Sequence, residues 1–479
     1  MPSSKDQHNP KPTSTFRERE GERPGNINVV AIFDIGKTNK KFFLLNEQYK
    51  IVLERSAQFP ETVDEDGFAC DDVELLSSWV KETIREIISL PGYNVKGINF
   101  SAYGASFVLV GEDGKPVAPL YNYLKPYDPV LQENFYKTYG GEMKIAVATA
   151  SPVLGNLNSG MQLYRLKNEN PLLFEKVQYA LHLPQYISYL ITGKTYAEIT
   201  SIGCHTGLWN FAARMYHDWV YAEEIDQKFP PVLRSNATIE ITLDGHTIKS
   251  GIGLHDSSSA LIPYLACFSE PFVLLSTGTW CISLNPFNND PLTEEELKQD
   301  CLCYLEYHGR PVKASRLFAG NEHEQQVKRL AAHFNVPVEY FQDVAFSNVL
   351  FDQVKERNRN ETVSTGLHAS AFVSRGLEQF DRYEDAYHQL IADIIAQQKI
   401  STSLILSDRK VSRIFVDGGF AKNPVYMNML ANAFPSMEIF AASVSQATAI
   451  GAALAIHADW NTQGIPGDMV ELKYYSITR

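Results

Sequence analysis

Several things are scarce in this chain of 479 residues, and each scarcity excludes something. Cysteine occurs six times (70, 204, 267, 281, 301, 303), too sparsely for a disulfide framework. Cys301-x-Cys303 is too tight and too isolated for a zinc site, so reduced thiols in a cytoplasmic protein are expected. Basic charge is short: 43 Lys and Arg against 56 Asp and Glu leave a net charge of −13, which argues against a nucleic-acid partner. An anionic ligand stays open, because a few local amides and cations suffice for one. Long apolar runs are missing too. The stretch VSQATAIGAALAIHA (444–458) carries Gln446, Thr448 and His457, is short for a membrane span and fits a buried helix. The first 26 residues have no signal-peptide core and are rich in Pro, Ser and charge. They predict a disordered arm ahead of a soluble protein without a membrane partner.

Familiar motifs are incomplete. Gly36-Lys37-Thr38 and Gly193-Lys194-Thr195 spell the end of a P-loop, but Ala31 and Ser188 stand where its first glycine belongs. The stretch GIGLHDSSSA (251–260) opens like a dinucleotide fingerprint, yet Asp256 takes the third glycine's place. Its adjacent His255, Asp256 and Ser257 do not make a catalytic triad, which needs side chains converging in space, and neighbours on a chain are expected to diverge. No G-x-S-x-G elbow occurs.

What is present is α/β in grammar. The length predicts two domains, and 44% hydrophobic with 21% charged residues is globular. NVVAIFDIGKTNKKFFLL (28–45) reads as a β-hairpin with a polar tip, and EPFVLLSTGTWCISLNPF (270–287) repeats that pattern. Two such hairpins half a chain apart suggest two similarly built halves. VELLSSWVKETIREIISL (73–90) has helical spacing and precedes the strand VKGINFSAYG (95–104). FVLVGEDGKPVAPL (107–120) reads as two strands about an Asp-Gly turn, and 170–194 as helices. A long helix is expected over 381–406, and a strand, a double glycine and a helix over 413–434.

The candidate residues follow from these placements. Asp34 ends a buried strand, where a carboxylate is costly unless it meets a cation or amides; capping its own turn is the plain alternative. The tip behind it, Gly36 to Lys41, holds a glycine, a hydroxyl, exposed amides and cations, the parts of a phosphate cradle. Ser276-Thr277-Gly278-Thr279 offers donors without charge, or is a simple turn. Gly418-Gly419 lets a flat ligand approach backbone, or marks tight packing. Asn423 and Asp256 each open a helix, where an N-cap is the alternative to a functional role.

In this order the segments resemble the FGGY family of carbohydrate kinases, within the actin and hexokinase superfamily. DIGKTNKK (34–41), FSAYGASFVLVGEDGKPVAP (100–119), LPQYISYLITGKTYAEITSIGCHTGLWN (183–210), GLHDSSSA, LSTGTW (275–280) and FVDGGFAKNPVYMNMLAN (415–432) carry the likeness, which runs from about residue 28 to about 458. The resemblance implies two actin-like (ribonuclease H-like) domains around a central cleft, divided here as 27–255 on the sugar and phosphate side and 256–479 on the nucleotide side. It implies ATP and Mg²⁺ as cofactors, with Asp256 as catalytic base beside the sugar and Asp34, with Asp256, at the metal. Gly36, Thr38 and Lys41 (where an arginine is common) match the first phosphate loop, and Thr277, Gly278 and Thr279 the second. Gly418, Gly419 and Asn423 match the nucleoside site, and Gly104, Ser106, Gln162 and His205 fall on the substrate side. For His205 a structural loop role is the alternative.

Departures fall on the sugar side. Gly104-Ala105-Ser106 stands where relatives acting on rhamnulose or fuculose often have G-V-D, so an acidic sugar contact is missing. YNYLKPYD (121–128) replaces a W-x-D-x-R type segment, Gln162 in LNSGMQLYRL (157–166) stands where others have lysine, and Ser445-Gln446-Ala447 replaces a Glu-Ala pair. The expected activity is ATP-dependent phosphorylation of a small sugar, a ketose resembling L-rhamnulose, L-fuculose or a pentulose, with a homodimer as the assembly that family analogy offers. The rivals are a non-catalytic sugar or nucleotide sensor, which needs neither Asp34 nor Asp256, and a sugar-independent ATPase or phosphatase of the same superfamily.

Overall fold

The computed structural model describes residues 17–18, 26–360, 367, 370–406 and 411–476. Most of the arm expected over 1–26 lies outside them; Arg17–Glu18 pairs antiparallel with Leu53 and Glu54.

The first sheet grows around β1 (Ile27–Ile35), whose residues Val29 to Phe33 are all buried, as a strand covered on both faces requires. β2 (Lys40–Asn46) and β3 (Ile51–Ala57) return antiparallel as a meander. α1 (Val73–Ile88) starts where the Asp72 carboxylate accepts from Glu74 N and Leu75 N, and buries Leu76, Trp79, Val80 and Ile84. It leads to β4 (Tyr93–Ala102), parallel to β1. A mostly helical insertion over 107–235 includes α2 (Ser159–Glu169) and α3 (Leu183–Thr192). β5 (Thr238–Leu243), β6 (His246–Gly251) and β7 (Leu254–His255) complete the sheet, β6 and β7 both pairing parallel with β4.

α4 (Asp256–Cys267) then crosses to the second half, which contains β8 (Phe272–Thr277), β9 (Cys281–Asn285), β10 (Cys301–Leu305), β11 (Pro311–Leu317), α5 (Ala319–Phe334), α6 (Tyr383–Leu404), β12 (Arg413–Gly418), α7 (Pro424–Ala433), β13 (Glu438–Ser443), α8 (Ala447–Ala455) and β14 (Glu471–Tyr475). Its sheet runs β10-β11-β9-β8-β12-β13-β14. In each half the leading strand has an antiparallel hairpin partner on one side and a parallel strand on the other: β2 and β4 around β1, β9 and β12 around β8. The halves are therefore built alike, and the architecture is α/β with two actin-like domains.

Two local readings change. The Asp113-Gly114 turn forms, but its return limb makes only an isolated bridge, Val110 to Pro116; residues Phe107–Val110 pair instead with Tyr179–His182. That second strand lies within 170–194, which the sequence presents as helices, because its short apolar run has no period to tell strand from helix. Gly193, the second P-loop decoy, caps α3 in the left-handed conformation. The six cysteines are unpaired, and no helix among the described residues is long and apolar enough to cross a membrane.

The halves meet through α4 and α8. Val30 and Ile32 of β1, Leu261 and Ile262 of α4, Ile450 and Leu454 of α8, and Phe272 and Leu274 of β8 share one buried cluster. Gly451 of α8 lies so close to α4 that a methyl group there would overlap the Ser259 carbonyl oxygen. Thermal unfolding should accordingly find Gly451→Ala destabilised by about 1–3 kcal/mol, the usual cost of overpacking. An unchanged melting temperature would show that the two helices slide apart without cost.

Candidate functional site

Asp34 and Asp256 come together from opposite ends of the first half. Asp34 is the penultimate residue of β1, where its Oδ2 accepts from Thr448 Oγ1 of α8 at 2.7 Å. Asp256 is the first residue of α4, immediately after β7. Burial pushes the Asp34 carboxyl up to about 6; the Thr448 hydrogen bond and Lys41 oppose the rise, and the facing Asp256 carboxylate adds to it. Burial likewise raises Asp256 to about 6, against hydrogen bonds from Ser257. Its side chain nevertheless keeps 31% of its surface open.

The neighbours of Asp256 do meet, contrary to the expectation of divergence. At the strand-to-helix corner the Ser257 amide donates to Asp256 Oδ1 at 2.6 Å, its hydroxyl at 3.2 Å, and His255 Nε2 lies 3.1 Å away. The order is wrong for a triad, since the serine hydroxyl points to the carboxylate and His255 Nε2 also lies 3.1 Å from the buried Cys204 thiol. Burial holds His255 down at about 4, so its ring is neutral at pH 7.

Of the first hairpin tip, Gly36 N–H donates to Asn39 O, and Thr38 is exposed. Lys41 sits directly opposite Asp34 in the β1–β2 register and donates to Gln446 Oε1 at 3.2 Å. The remaining tip cations are not available to a phosphate: Lys37 and the buried Lys40 both bind Asp71.

In the second half a cavity of about 500 Å³ is lined by Thr277, Gly278, Gly419 and Asn423 from the sequence-based set, together with Gly320, His323, Phe341, Gln342, Phe420, Lys422 and Pro424. The size suits a small-molecule site. Thr277 builds its wall: the hydroxyl donates to Asp417 O and accepts from Phe420 N, while Gly419 N–H donates to Thr277 O. Gly418, at φ +91°, sits where a side chain would overlap that same carbonyl. Thr279 is exposed at the tip, its carbonyl accepting from Asn321 N. Asn423 is the N-cap of α7 and also reaches Tyr387 Oη, which in turn lies 2.9 Å from His323 Nε2. Burial lowers His323 to about 4, leaving a neutral ring edge-on to Phe341 and Phe420. Gly320 and His323 were legible in principle, since SRLFAGNEH (315–323) repeats the strand–glycine–helix pattern of Gly418-Gly419. Phe341 and Gln342, from a single short turn of helix, gave no signal.

On the sugar side, Gly104 faces the His255 ring, to which an added Cβ would approach within 3.0 Å. Ser106 is buried behind it. Gln162 uses its amide hydrogens on the Ala105 and Asn156 carbonyls at 2.7 and 2.6 Å, so it shapes the 104–106 segment and offers no amide hydrogen to a ligand. His205 has a strained φ of +41°, its Nδ1 lies 3.1 Å from Leu157 O, and burial with His255 and Arg316 nearby lowers it to about 4. Its neutral ring packs edge-on to Tyr304 of β10.

Comparison with known proteins bears on this arrangement. The description "FGGY family of carbohydrate kinases, N-terminal domain" matches residues 29–262, and "Carbohydrate kinase FGGY, C-terminal domain" matches 269–464. A rhamnulokinase of Halalkalibacterium halodurans is 24% identical over 53% of this chain and 56% of its own. An L-fuculokinase of Escherichia coli is 22% identical over 53% and 55%. These matches thus span only about half the length of the curated relatives. The crystal structure of a carbohydrate kinase from Novosphingobium aromaticivorans superposes with a TM-score of 0.75 at 22% identity, covering 94% of this chain and 95% of that one.

The raised carboxyls make a signed prediction for the ligand-free protein. A carboxyl with a folded value above its unfolded one gives stability that is complete below about 4 and lost as pH rises through about 6. Asp34→Asn should therefore unfold at a higher temperature than wild type at pH 8, and the gap should close by pH 4. A gap independent of pH would mean that Asp34 is not held protonated by burial.

Proposed function

The chain belongs to the FGGY family of carbohydrate kinases, and from that premise we propose that it transfers the γ-phosphoryl group of ATP to a hydroxyl of a small ketose. The observation that carries this reading is the Asp34–Asp256 pair: two desolvated carboxylates facing each other at the ends of β1 and β7, beside the β1–β2 hairpin tip. The relatives named for rhamnulose and L-fuculose phosphorylation support a ketose of that kind, and a pentulose is the next class to test.

Asp256 acts as general base. Its Oδ1 is held by Ser257, so the carboxylate is oriented and can accept the proton of the attacking hydroxyl. Gly36, Thr38 and Lys41 on one tip and Gly278 and Thr279 on the other receive phosphate oxygens through amides, hydroxyls and a single ammonium. The nucleoside occupies the 500 Å³ cavity, with a base against Phe341 and Phe420 and polar contacts from Gln342 and Asn423. The sugar lies against Gly104 and Ser106, near His205.

The residues present fit a magnesium ion. Two facing, partly buried carboxylates repel one another, and a hard divalent cation would relieve that repulsion. Among the described residues no group of three or more His, Cys, Asp or Glu side chains is arranged to hold a metal ion by itself, so Asp34 and Asp256 would hold the ion with water and phosphate oxygens filling its shell. Bound there, Mg²⁺ would neutralise charge on the transferring phosphoryl group. Closure of the two domains over the sugar would exclude water, and the enzyme is expected to work in the cytoplasm.

The test is ADP release from Mg·ATP against a panel of ketoses, aldoses and polyols, alongside Asp256→Asn. One sugar should stimulate turnover strongly, and the variant should lose about 10²–10⁴-fold in kcat while affinity for ATP measured without magnesium stays nearly unchanged. Undiminished turnover by Asp256→Asn would remove the base from its role. Turnover indifferent to every sugar would favour a sugar-independent ATPase.

A further inference from the structure

The two lysines of the first tip that do not reach toward phosphate converge on one carboxylate. Lys40, 2% exposed, donates from Nζ to Asp71 Oδ1 at 2.9 Å and to Lys37 O at 2.8 Å. Lys37 Nζ donates to Asp71 Oδ2 at 2.7 Å and lies 3.4 Å from Glu61. Tyr103 Oη donates to the same Asp71 Oδ2 at 2.7 Å. Burial alone would raise the Asp71 carboxyl, but these three donors outweigh it and hold it below the usual range. Asp71 is itself fixed, by a backbone bridge to Leu120 and by the helix cap at Asp72.

Tyr103 is the link to the other substrate. Its N–H donates to Ile35 O, and the next residue, Gly104, lies against the ring of His255, which precedes Asp256. A continuous set of contacts thus runs from the phosphate hairpin through Asp71 and Tyr103 to the wall beside the base. Within the exposed tip itself, Gly36 to Asn39 is the backbone hydrogen bond that closes the turn, so its orientation depends on what grips the tip from behind.

We propose that Asp71 and Tyr103 are positioning residues that clamp the first phosphate hairpin to the acceptor wall, setting the distance between phosphoryl donor and attacking hydroxyl. The clamp rests on the phosphotransfer reading above. In it Lys37 and Lys40 serve as structural cations, and phosphate is left to the tip amides, Thr38 and Lys41. Misplacement by a fraction of an ångström then lowers transfer without removing any group that touches substrate.

Tyr103→Phe keeps the ring and removes the hydroxyl that reaches Asp71, while Lys40→Met frees the tip. Lys313→Met is the matched control: also 2% exposed, it pairs with Glu296 at 2.7 Å on β11, within the second domain. With the stimulating sugar, Tyr103→Phe should lose about tenfold in kcat while its KM for Mg·ATP stays within about twofold. Lys40→Met should raise that KM about tenfold, and the double variant should lose well under the roughly hundredfold in kcat/KM that two independent effects would give. Lys313→Met should lower the melting temperature and leave both kinetic constants alone. Wild-type kinetics in Tyr103→Phe, losses that multiply independently, or a Lys313→Met enzyme as impaired as Lys40→Met would each overturn the clamp. A calorimetric arm needs no sugar: Asp71→Asn and Lys40→Met should each weaken binding of a non-hydrolysable Mg·ATP analogue about tenfold, unlike Lys313→Met. If no sugar supports turnover in the wild type, the kinase reading fails and the acceptor half of the clamp with it, while this arm still decides whether Asp71 and Lys40 hold the tip for the nucleotide.

Discussion

Asp34 and Asp256 are brought together with less positive charge around them than two carboxylates require. Lys41 opposes the rise at Asp34 and Ser257 the rise at Asp256, yet burial dominates both. Such a pair is held only by a scaffold whose packing outweighs its electrostatic cost. The scaffold is visible in β1, buried along its length, and in α4 and α8, whose backbones approach so closely at Gly451 that the two halves cannot separate without breaking a shared apolar cluster. The charge deficit is also what makes the site receptive: a cation or a proton relieves it, and the chain supplies neither in full.

Around that pair the two halves divide the binding work by different physics. The second half offers volume and aromatic surface, with neutral His323 tied through Tyr387 to Asn423 so that no buried charge faces the cavity from that ring. Thr277 and Gly418 bring β8 and β12 so close that the cavity wall is backbone. The first half offers oriented donors on a tip gripped from below by Asp71. Both tips belong to hairpins of the same topology, and on the proposed reading the two address one nucleotide from either half.

How much of this the sequence disclosed depends on distance along the chain. Strand-end Asp34, the two polar tips and the Gly418-Gly419 corner stand out because each is a local departure from an apolar run. Asn423 was legible both as a cap and as a site residue, and it is the cap of α7 while lining the cavity. The Asp71 cluster was invisible, since its partners lie 31 to 34 residues away and nothing local marks a pair. Phe341 and Gln342 were invisible for a related reason: a cavity is a property of tertiary packing, and the turn that supplies them has no periodic pattern. Gln162 shows a third limit. Its place in a substrate-side motif was readable, but its amide turns to the Ala105 and Asn156 carbonyls.

On the proposed reading, the sugar-side wall lacks the acidic contact expected of relatives at 106 and is braced instead by Gln162. Ala105 sits at φ +59°, a conformation costly for a residue with a side chain, and Gln162 holds its carbonyl there. Gly104, beside it, must lack a side chain to clear the His255 ring, and His255 stands one residue before the base. On the proposed reading, acceptor fit and base placement are set by the same few backbone atoms. A substitution that enlarged the wall at 104 would press on His255 and displace Asp256 with it. Selectivity built in this way would work by shape and would be coupled to catalysis, whereas an acidic side chain would select a hydroxyl without touching Asp256.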